Sequence, residues 1–455
     1  MSNHQDTIFA LSSGRPPAAI AVVRISGPRA RAALEALIGR VPQPRIASFS
    51  RLCDPQSREL IDEGLALWFP GPRSETGEDV AELQVHGGRA IVAALLQALG
   101  QLEGFRLAEP GEFTRRAFDH GRLDLTAVEG LADLIYAETE AQRRQALRQF
   151  KGLLADRTES WRSRLIGALA LLEASIDFSD EGDVPEGLRH KALHILDPLG
   201  AEIRHAGTGQ GDRLREGLRV AIAGPPNVGK STLLNRLARR EAAIVSPHAG
   251  TTRDVIEVRL DLEGFPVTLL DTAGLREASD PVEQEGVRRA WSAVTEADLV
   301  LWVNDTTTMD PAPGRLATLP AELVHWIILN KVDLLSPGSL AELRSRLSVS
   351  MPGNILLTIS AATGAGVDEL VRALAQFAER FFTAEPALVT RERHRLALRA
   401  ASEALEEALR LGPSGAEELL AEQVRLATRA LERLTGRIGV EDILDVIFRD
   451  FCIGK

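Results

Sequence analysis

Gly224-Pro225-Pro226-Asn227-Val228-Gly229-Lys230-Ser231 decides how this chain is read. The stretch follows Leu218-Arg219-Val220-Ala221-Ile222-Ala223, an apolar run of strand length. It precedes Thr232-Leu233-Leu234-Asn235-Arg236-Leu237, whose apolar positions have helical spacing. Strand, glycine-rich loop and helix in that order make a phosphate-binding loop. A loop at a helix N-terminus aims unpaired N–H groups and the positive end of the helix dipole at one point. Gly224 and Gly229 permit a tight turn close to the phosphates, Lys230 places a cation on the β/γ-phosphates, and the Ser231 hydroxyl suits Mg²⁺.

Further motifs follow in the order a GTPase requires. Gly250-Thr251-Thr252-Arg253-Asp254 lies in a stretch rich in Gly, Ser, Pro and His, where a threonine hydroxyl can reach Mg²⁺ when the γ-phosphate is present. The strand Val267–Leu270 delivers Asp271-Thr272-Ala273-Gly274, in which the carboxylate suits the metal's outer shell and the glycine N–H can sense the γ-phosphate. A second buried strand, His325–Leu329, ends in Asn330-Lys331-Val332-Asp333. The Asp333 carboxylate can accept from the ring N–H and the exocyclic amino group of guanine, where adenine offers neither donor, so GTP is the expected ligand. Asn330 and Lys331 would hold this loop and cover the base, and Ser360-Ala361 would complete the pocket through backbone groups. Leu275 stands where small signalling GTPases carry a water-orienting glutamine, so either hydrolysis is very slow or another polar residue supplies that function. The acidic stretch Glu277–Glu283 offers candidates.

The chain has 455 residues, enough for two to four domains, with 44% hydrophobic and 26% charged residues. Its net charge of -11 argues against a surface basic throughout while leaving room for a local basic face. Cys53 and Cys452 are far apart and unpatterned, which fits a reducing compartment and offers no zinc site. No apolar run reaches membrane-spanning length, and a soluble cytoplasmic protein is expected.

Residues 1–118 read as an α+β domain, with strands at Ala19–Ile25, Gly64–Phe69 and Val80–His86 and helices at Ala30–Ile38 and Ile91–Leu99. Residues 119–215 read as helical, from stripes such as Leu125, Val128, Leu131 and Ile135. Residues 216–380 alternate strands and helices, as a parallel α/β sheet does. Residues 381–455 return to helix, with Leu420, Val424, Ala427, Leu431 and Leu434 in one stripe. The economical reading is one helical domain interrupted by a Ras-like phosphate-loop GTPase domain; two separate bundles are the alternative.

The combination of these parts resembles the MnmE (TrmE) family of bacterial tRNA-modification GTPases over essentially the full length. The carriers are the N-terminal α+β domain, the inserted GTPase domain, Asn227, Gly250–Asp254, Asp271-Thr272-Ala273-Gly274-Leu275-Arg276-Glu277 and Phe451-Cys452-Ile453-Gly454-Lys455. The resemblance implies a homodimer working with an FAD-dependent MnmG-like partner, as a heterotetramer, on the wobble uridine of certain tRNAs. The group installed at C5 would be of aminomethyl type, such as carboxymethylaminomethyl, drawn from 5-formyl- or methylene-tetrahydrofolate.

By the same resemblance, nucleotide contacts fall on Gly224 and Asn227 to Thr232, taking in Val228, on Ser246, Thr251 and Thr252, on Asp271 to Gly274, on Asn330, Lys331 and Asp333, and on Ser360 and Ala361. Mg²⁺ would be held by Ser231 and Thr252, and K⁺, in place of an arginine finger, by Asn227, Ser246, His248 and Thr251. Glu283 matches the family's water-orienting glutamate. Arg24, Glu82, Arg122 and Lys455 match the reduced-folate site, Arg122 in place of a family lysine, and Cys452 lies near it. The competing reading is a switch GTPase that binds RNA or a ribosomal particle and modifies nothing.

Overall fold

The computed structural model describes residues 6–177, 187–208, 211–239, 256–271, 291–308, 320, 323–350, 355–382, 388–412, 416–438, 444, 447, 448, 451, 453 and 454. The chain divides into two compact units. One comprises Met1–Ala132, Arg148–Arg204 and Leu396–Lys455, and the other Asp133–Leu147 with His205–Arg395.

In the first unit, β1 (Thr7–Leu11), β2 (Ala18–Ser26), β3 (Ser48–Cys53), β4 (Leu60–Phe69), β5 (Val80–Gly87) and β6 (Phe105–Leu107) form one sheet in the order β3-β4-β5-β2-β1-β6. All neighbours are antiparallel except β1 and β6. Alternation along β2 and β5 sends Val23, Ile25, Leu83 and Val85 into one core with Leu34, Leu37, Leu95 and Leu99. Those leucines come from helices Ala30–Ile38 and Arg89–Gly100. Arg24 and Glu82 are paired in register, so both side chains stand on the opposite face.

The helices of this unit bring together sequence from before and after the parallel sheet. Helix Leu153–Asp177 packs along helix Glu417–Thr435, with apolar stripes containing Trp161, Leu165 and Leu172 on one and Leu420, Val424 and Leu431 on the other. Arg162 Nε donates to Glu432 Oε1 at 2.9 Å, and Ser175 Oγ to Glu417 Oε1 at 3.2 Å. A helical domain interrupted by an α/β insertion is therefore the architecture. The described end of the chain docks on the N-terminal sheet's side of the same unit: Ile453 bridges Pro110, and a Cβ at Gly454 would lie 2.1 Å from Leu11 O.

The second unit is built on β7 (Leu218–Ala223), β8 (Ile256–Leu262), β9 (Phe265–Asp271), β10 (Leu299–Asp305), β11 (His325–Asn330) and β12 (Ile355–Thr358). Their order is β12-β11-β10-β7-β9-β8, all parallel except the edge strand β8. A sheet covered on both faces needs apolar residues at successive positions, and β7 and β10 are buried almost throughout. Helix Lys230–Ala238 contributes Leu233, Leu234 and Leu237 to one side, with Leu370 and Leu374 of helix Val367–Phe382. Trp302, Val294 and Ala297 pack on the other side. No helix among the described residues is long and apolar enough to cross a membrane.

Candidate nucleotide site

The chain leaves β7 and proceeds to β9 on one flank, then crosses to β10 on the other, so the crevice for a ligand opens at the carboxyl ends of β7 and β10. The phosphate loop occupies this point. Gly224 has φ +140°, and a Cβ there would stand 2.2 Å from Val303 O of β10, so only glycine fits. Asn227 adopts φ +63°, a left-handed conformation that asparagine tolerates better than most residues. Gly229, at φ +96°, ends the loop as the cap of helix Lys230–Ala238.

Lys230 is only 6% exposed, and its Nζ donates to Gly224 O at 3.0 Å and Pro225 O at 2.8 Å. The ammonium is thus curled over the loop and keeps a third donor for a phosphate oxygen. Burial lowers its pKa from the ordinary lysine value, and the charge of Asp271 opposes that shift. Ser231 Oγ donates to Asp271 Oδ2 at 3.0 Å. Asp271 Oδ1 is buried and has no hydrogen-bond partner among the described residues. A buried carboxylate oxygen left over beside a hydroxyl fits a hard cation that takes oxygen ligands, and Ser231 with Asp271 would hold Mg²⁺ there.

The base side is assembled from three strand ends. Asn330, 2% exposed, donates from Nδ2 to Val228 O at 2.7 Å and accepts at Oδ1 from Ala361 N at 2.9 Å. One side chain therefore ties the phosphate loop to the loop after β12. Ser360 is fully buried, and its Oγ accepts from Thr363 N at 3.1 Å. Lys331 sits at φ +64°, and its Nζ donates to Asp305 Oδ2 at 2.6 Å. Burial opposes ionisation of Asp305, but hydrogen bonds from Lys331 and Thr307 outweigh it and hold the carboxyl below the usual aspartate range. Asp333 is exposed on the short 3₁₀ turn Val332–Leu334, with its carboxylate accessible to a base edge. Val228 is buried, while Asn227, Ser231 and Thr232 are exposed along the crevice.

Two contributors escape sequence reading. Asp305 ends β10 as Asp271 ends β9, yet its Asn304-Asp305-Thr306-Thr307 context reads as an ordinary turn. Arg236 reaches from helix Lys230–Ala238 to Ala361 O, at 2.6 Å, and to Ala362 O. The only signal for Arg236 was a cation on the phosphate-loop helix. Ser246, His248, Thr251, Thr252, Thr272, Ala273, Gly274 and Glu283, together with Cys452 and Lys455, lie outside the described residues.

On the N-terminal sheet, Arg24 meets Glu82 at 3.0 Å through Nε and at 2.9 Å through Nη2. Its Nη1 lies 2.5 Å from Glu75 Oε2, and its guanidinium stands over the Phe113 ring at 5.8 Å. Arg122 is exposed and borders the turn at Gly77, where a Cβ would lie 3.4 Å from Arg122 Cγ. Behind them Arg116, fully buried, binds Asp6, Glu78 and Glu112. Arg24 and Glu82 are thus together, and Arg122 flanks the loop that carries Glu75.

A phosphate loop at the switch point of a parallel sheet, metal-type ligands at its edge and an Asn-Lys-x-Asp base loop define a P-loop GTPase. Family profiles described as "GTP-binding protein TrmE N-terminus" and "MnmE helical domain" match residues 7–122 and 125–452. A Rhodopseudomonas palustris (strain BisB18) protein named tRNA modification GTPase MnmE is 55% identical over 459 residues, covering 100% of both chains. One of the same name from Bradyrhizobium sp. (strain BTAi1) is 54% identical over 458 residues, again covering 100% of each. The chain belongs to the MnmE (TrmE) family.

Proposed function

We propose that this GTPase serves tRNA modification in the cytoplasm, with GTP and Mg²⁺ in the crevice and a reduced folate on the N-terminal sheet. The observation that carries the reading is Asn330, which fastens Val228 of the phosphate loop to Ala361 of the base loop and so presents both halves of a GTP site at once. Family membership along the whole chain supports tRNA as the object of the reaction. In hydrolysis, Lys230 and the N–H groups at the start of its helix stabilise charge developing on the transferred phosphoryl group. Leu275 cannot orient water, and Glu283, at the position of the family's water-orienting glutamate, would do that work. K⁺ bound beside Asn227 would add positive charge at the β/γ-phosphates. Homodimerisation, pairing with an MnmG-like FAD protein and C5 modification of the wobble uridine complete the proposal.

Arg24 and Glu82 would serve the folate differently. Glu82 can accept the donors of a pterin ring, and Arg24 holds that carboxylate in place through Nε and Nη2; Arg122 and Lys455 would supply cations for the folate's carboxylates. The deciding experiment is nucleoside analysis of tRNA from a deletion strain. Loss of the C5-modified wobble uridine is expected, restored by the wild-type gene; normal wobble uridine would leave a GTPase that acts elsewhere. Turnover in K⁺ against Na⁺ tests the cation, and Glu283→Ala, which is expected to bind GTP and hydrolyse it slowly, tests the water.

A further inference from the structure

We propose that Arg236 is a positioning residue that sets the guanine pocket by clamping the base loop to the phosphate-loop helix. This deepens the GTP reading and rests on it. Helix Lys230–Ala238 is one rigid element with Lys230 in the phosphate crevice at one end and Arg236 near the other. Arg236 Nε donates to Ala361 O at 2.6 Å and Nη2 donates to Ala362 O, so a single planar guanidinium takes two successive carbonyls. Ala361 is held from its other side as well, through its N–H on Asn330 Oδ1. Its peptide groups are therefore fixed from two directions, by the strand end that carries the base motif and by the helix that carries the phosphate motif.

The loop is shaped to receive that guanidinium. Gly364 has φ +96°, and a Cβ there would come within 2.8 Å of Arg236 Nη1. Any larger residue would crowd the fork. Thr232, Asn235, Arg236 and Arg239 line one wall of a cleft of about 510 Å³, and Ala361, Ala362 and Gly364 line the facing wall. Arg236 spans the two walls. Lysine could place a charge there, and one ammonium can reach two carbonyls as Lys230 does, but it lacks the two separate, fixed N–H groups that the guanidinium sets against Ala361 and Ala362.

The consequence is specific to the base. Ala362 is exposed, so water can replace the donor lost from its carbonyl when Arg236 is removed; Ala361 is buried, and circular dichroism and urea denaturation of the variant check that the fold is kept. What is lost is the preorganisation of the Ser360-Ala361 loop, which then has to be ordered at the moment of binding. Groups that hold only the phosphates are untouched.

The test uses the full-length chain, with Arg236→Met, which keeps the stem, and Arg236→Lys, which keeps the charge. For Arg236→Met the KM for GTP and the Kd for GDP are expected to rise about tenfold, with kcat at saturating GTP changed by less than about twofold. Affinity for inorganic tripolyphosphate, measured by calorimetry, should stay at the wild-type value. Arg236→Lys should recover less than about half of the loss on a free-energy scale. Unchanged GTP and GDP affinity in Arg236→Met overturns the proposal. A parallel fall in tripolyphosphate affinity overturns it too, because the residue would then be supporting the whole helix, and full recovery by lysine would reduce the clamp to a charge. A wild-type chain that binds GDP without hydrolysing GTP would refute the GTPase reading instead, while the GDP and tripolyphosphate titrations would still judge Arg236.

Discussion

Lys331 and Asp305 are joined across the ends of two parallel strands, Nζ to Oδ2 at 2.6 Å, with Asp305 nearly buried and Lys331 a third exposed. The pair gives the base loop a fixed floor: Lys331 is in the left-handed region, where a lysine stays only when its surroundings hold it. Asp305→Ala removes that hold and frees the ammonium to solvent. Guanine-nucleotide affinity is expected to fall about five- to tenfold, with the fold intact. Fluorescent GDP titration measures it, and the Asp305→Ala/Lys331→Ala double variant should be little worse than Lys331→Ala alone, since the two act as one unit.

Gly229→Ala is expected to be far more damaging. A Cβ there would lie 2.4 Å from Asn330 Nδ2, and the backbone is at φ +96°. The substitution strains the helix cap and displaces the amide that donates to Val228 O. Strain of about 1–3 kcal/mol together with a lost buried hydrogen bond amounts to roughly a hundredfold weaker nucleotide binding. Circular dichroism should show the secondary structure retained, and near-normal GDP affinity would mean that Asn330 can work from a second position.

Acid should loosen the first unit through Glu112. Burial opposes its ionisation, but hydrogen bonds from Arg106, the Glu109 N–H and Arg116 prevail, and its pKa is lowered in the folded chain. A carboxyl lowered on folding stabilises fully above its unfolded value, about 4.3, and that contribution disappears as the pH drops through the folded value. Glu112→Gln, which leaves Arg116 with Asp6 and Glu78 but weakens the charged acceptor that it shares with Arg106, should cost about 1–2 kcal/mol at pH 7. The gap between wild type and variant in urea denaturation is expected to stay constant down to about pH 5 and to narrow below pH 4. A gap that widens in acid would assign the stability to another group.

The fold was legible where a single element carries its own signal. Ala30–Ile38, β5, β7 and β11 can be read from apolar spacing, and Lys230, Asp271 and Asn330 from motifs at strand ends. Short strands such as β1, β3 and β6 were not, because runs of three to six residues are too short to carry a period of their own and form only against partners already in place. The Asp6, Arg106, Glu112 and Arg116 cluster was equally hidden: its members are spread over 110 residues, and charged side chains default to the surface. Asp305 and Arg236 belong to the same class, since their roles are defined only by what the sheet sets beside them.

Asp271 makes the last test of the site. Its Oδ2 accepts from Ser231 Oγ at 3.0 Å, its Oδ1 is buried without a partner among the described residues, and its charge acts on Lys230. Asp271→Asn preserves shape and removes the charge, so Ser231 keeps an acceptor while a divalent cation loses its electrostatic reason to bind. The wild-type chain should bind a slowly hydrolysed GTP analogue at least about tenfold more tightly with Mg²⁺ than with EDTA. Asp271→Asn should bind equally in both, near the wild-type EDTA value, with GTP turnover reduced to a small residue. A variant that still gains from Mg²⁺ as wild type does would move the cation's anchor from Asp271 to Ser231 and the phosphates themselves.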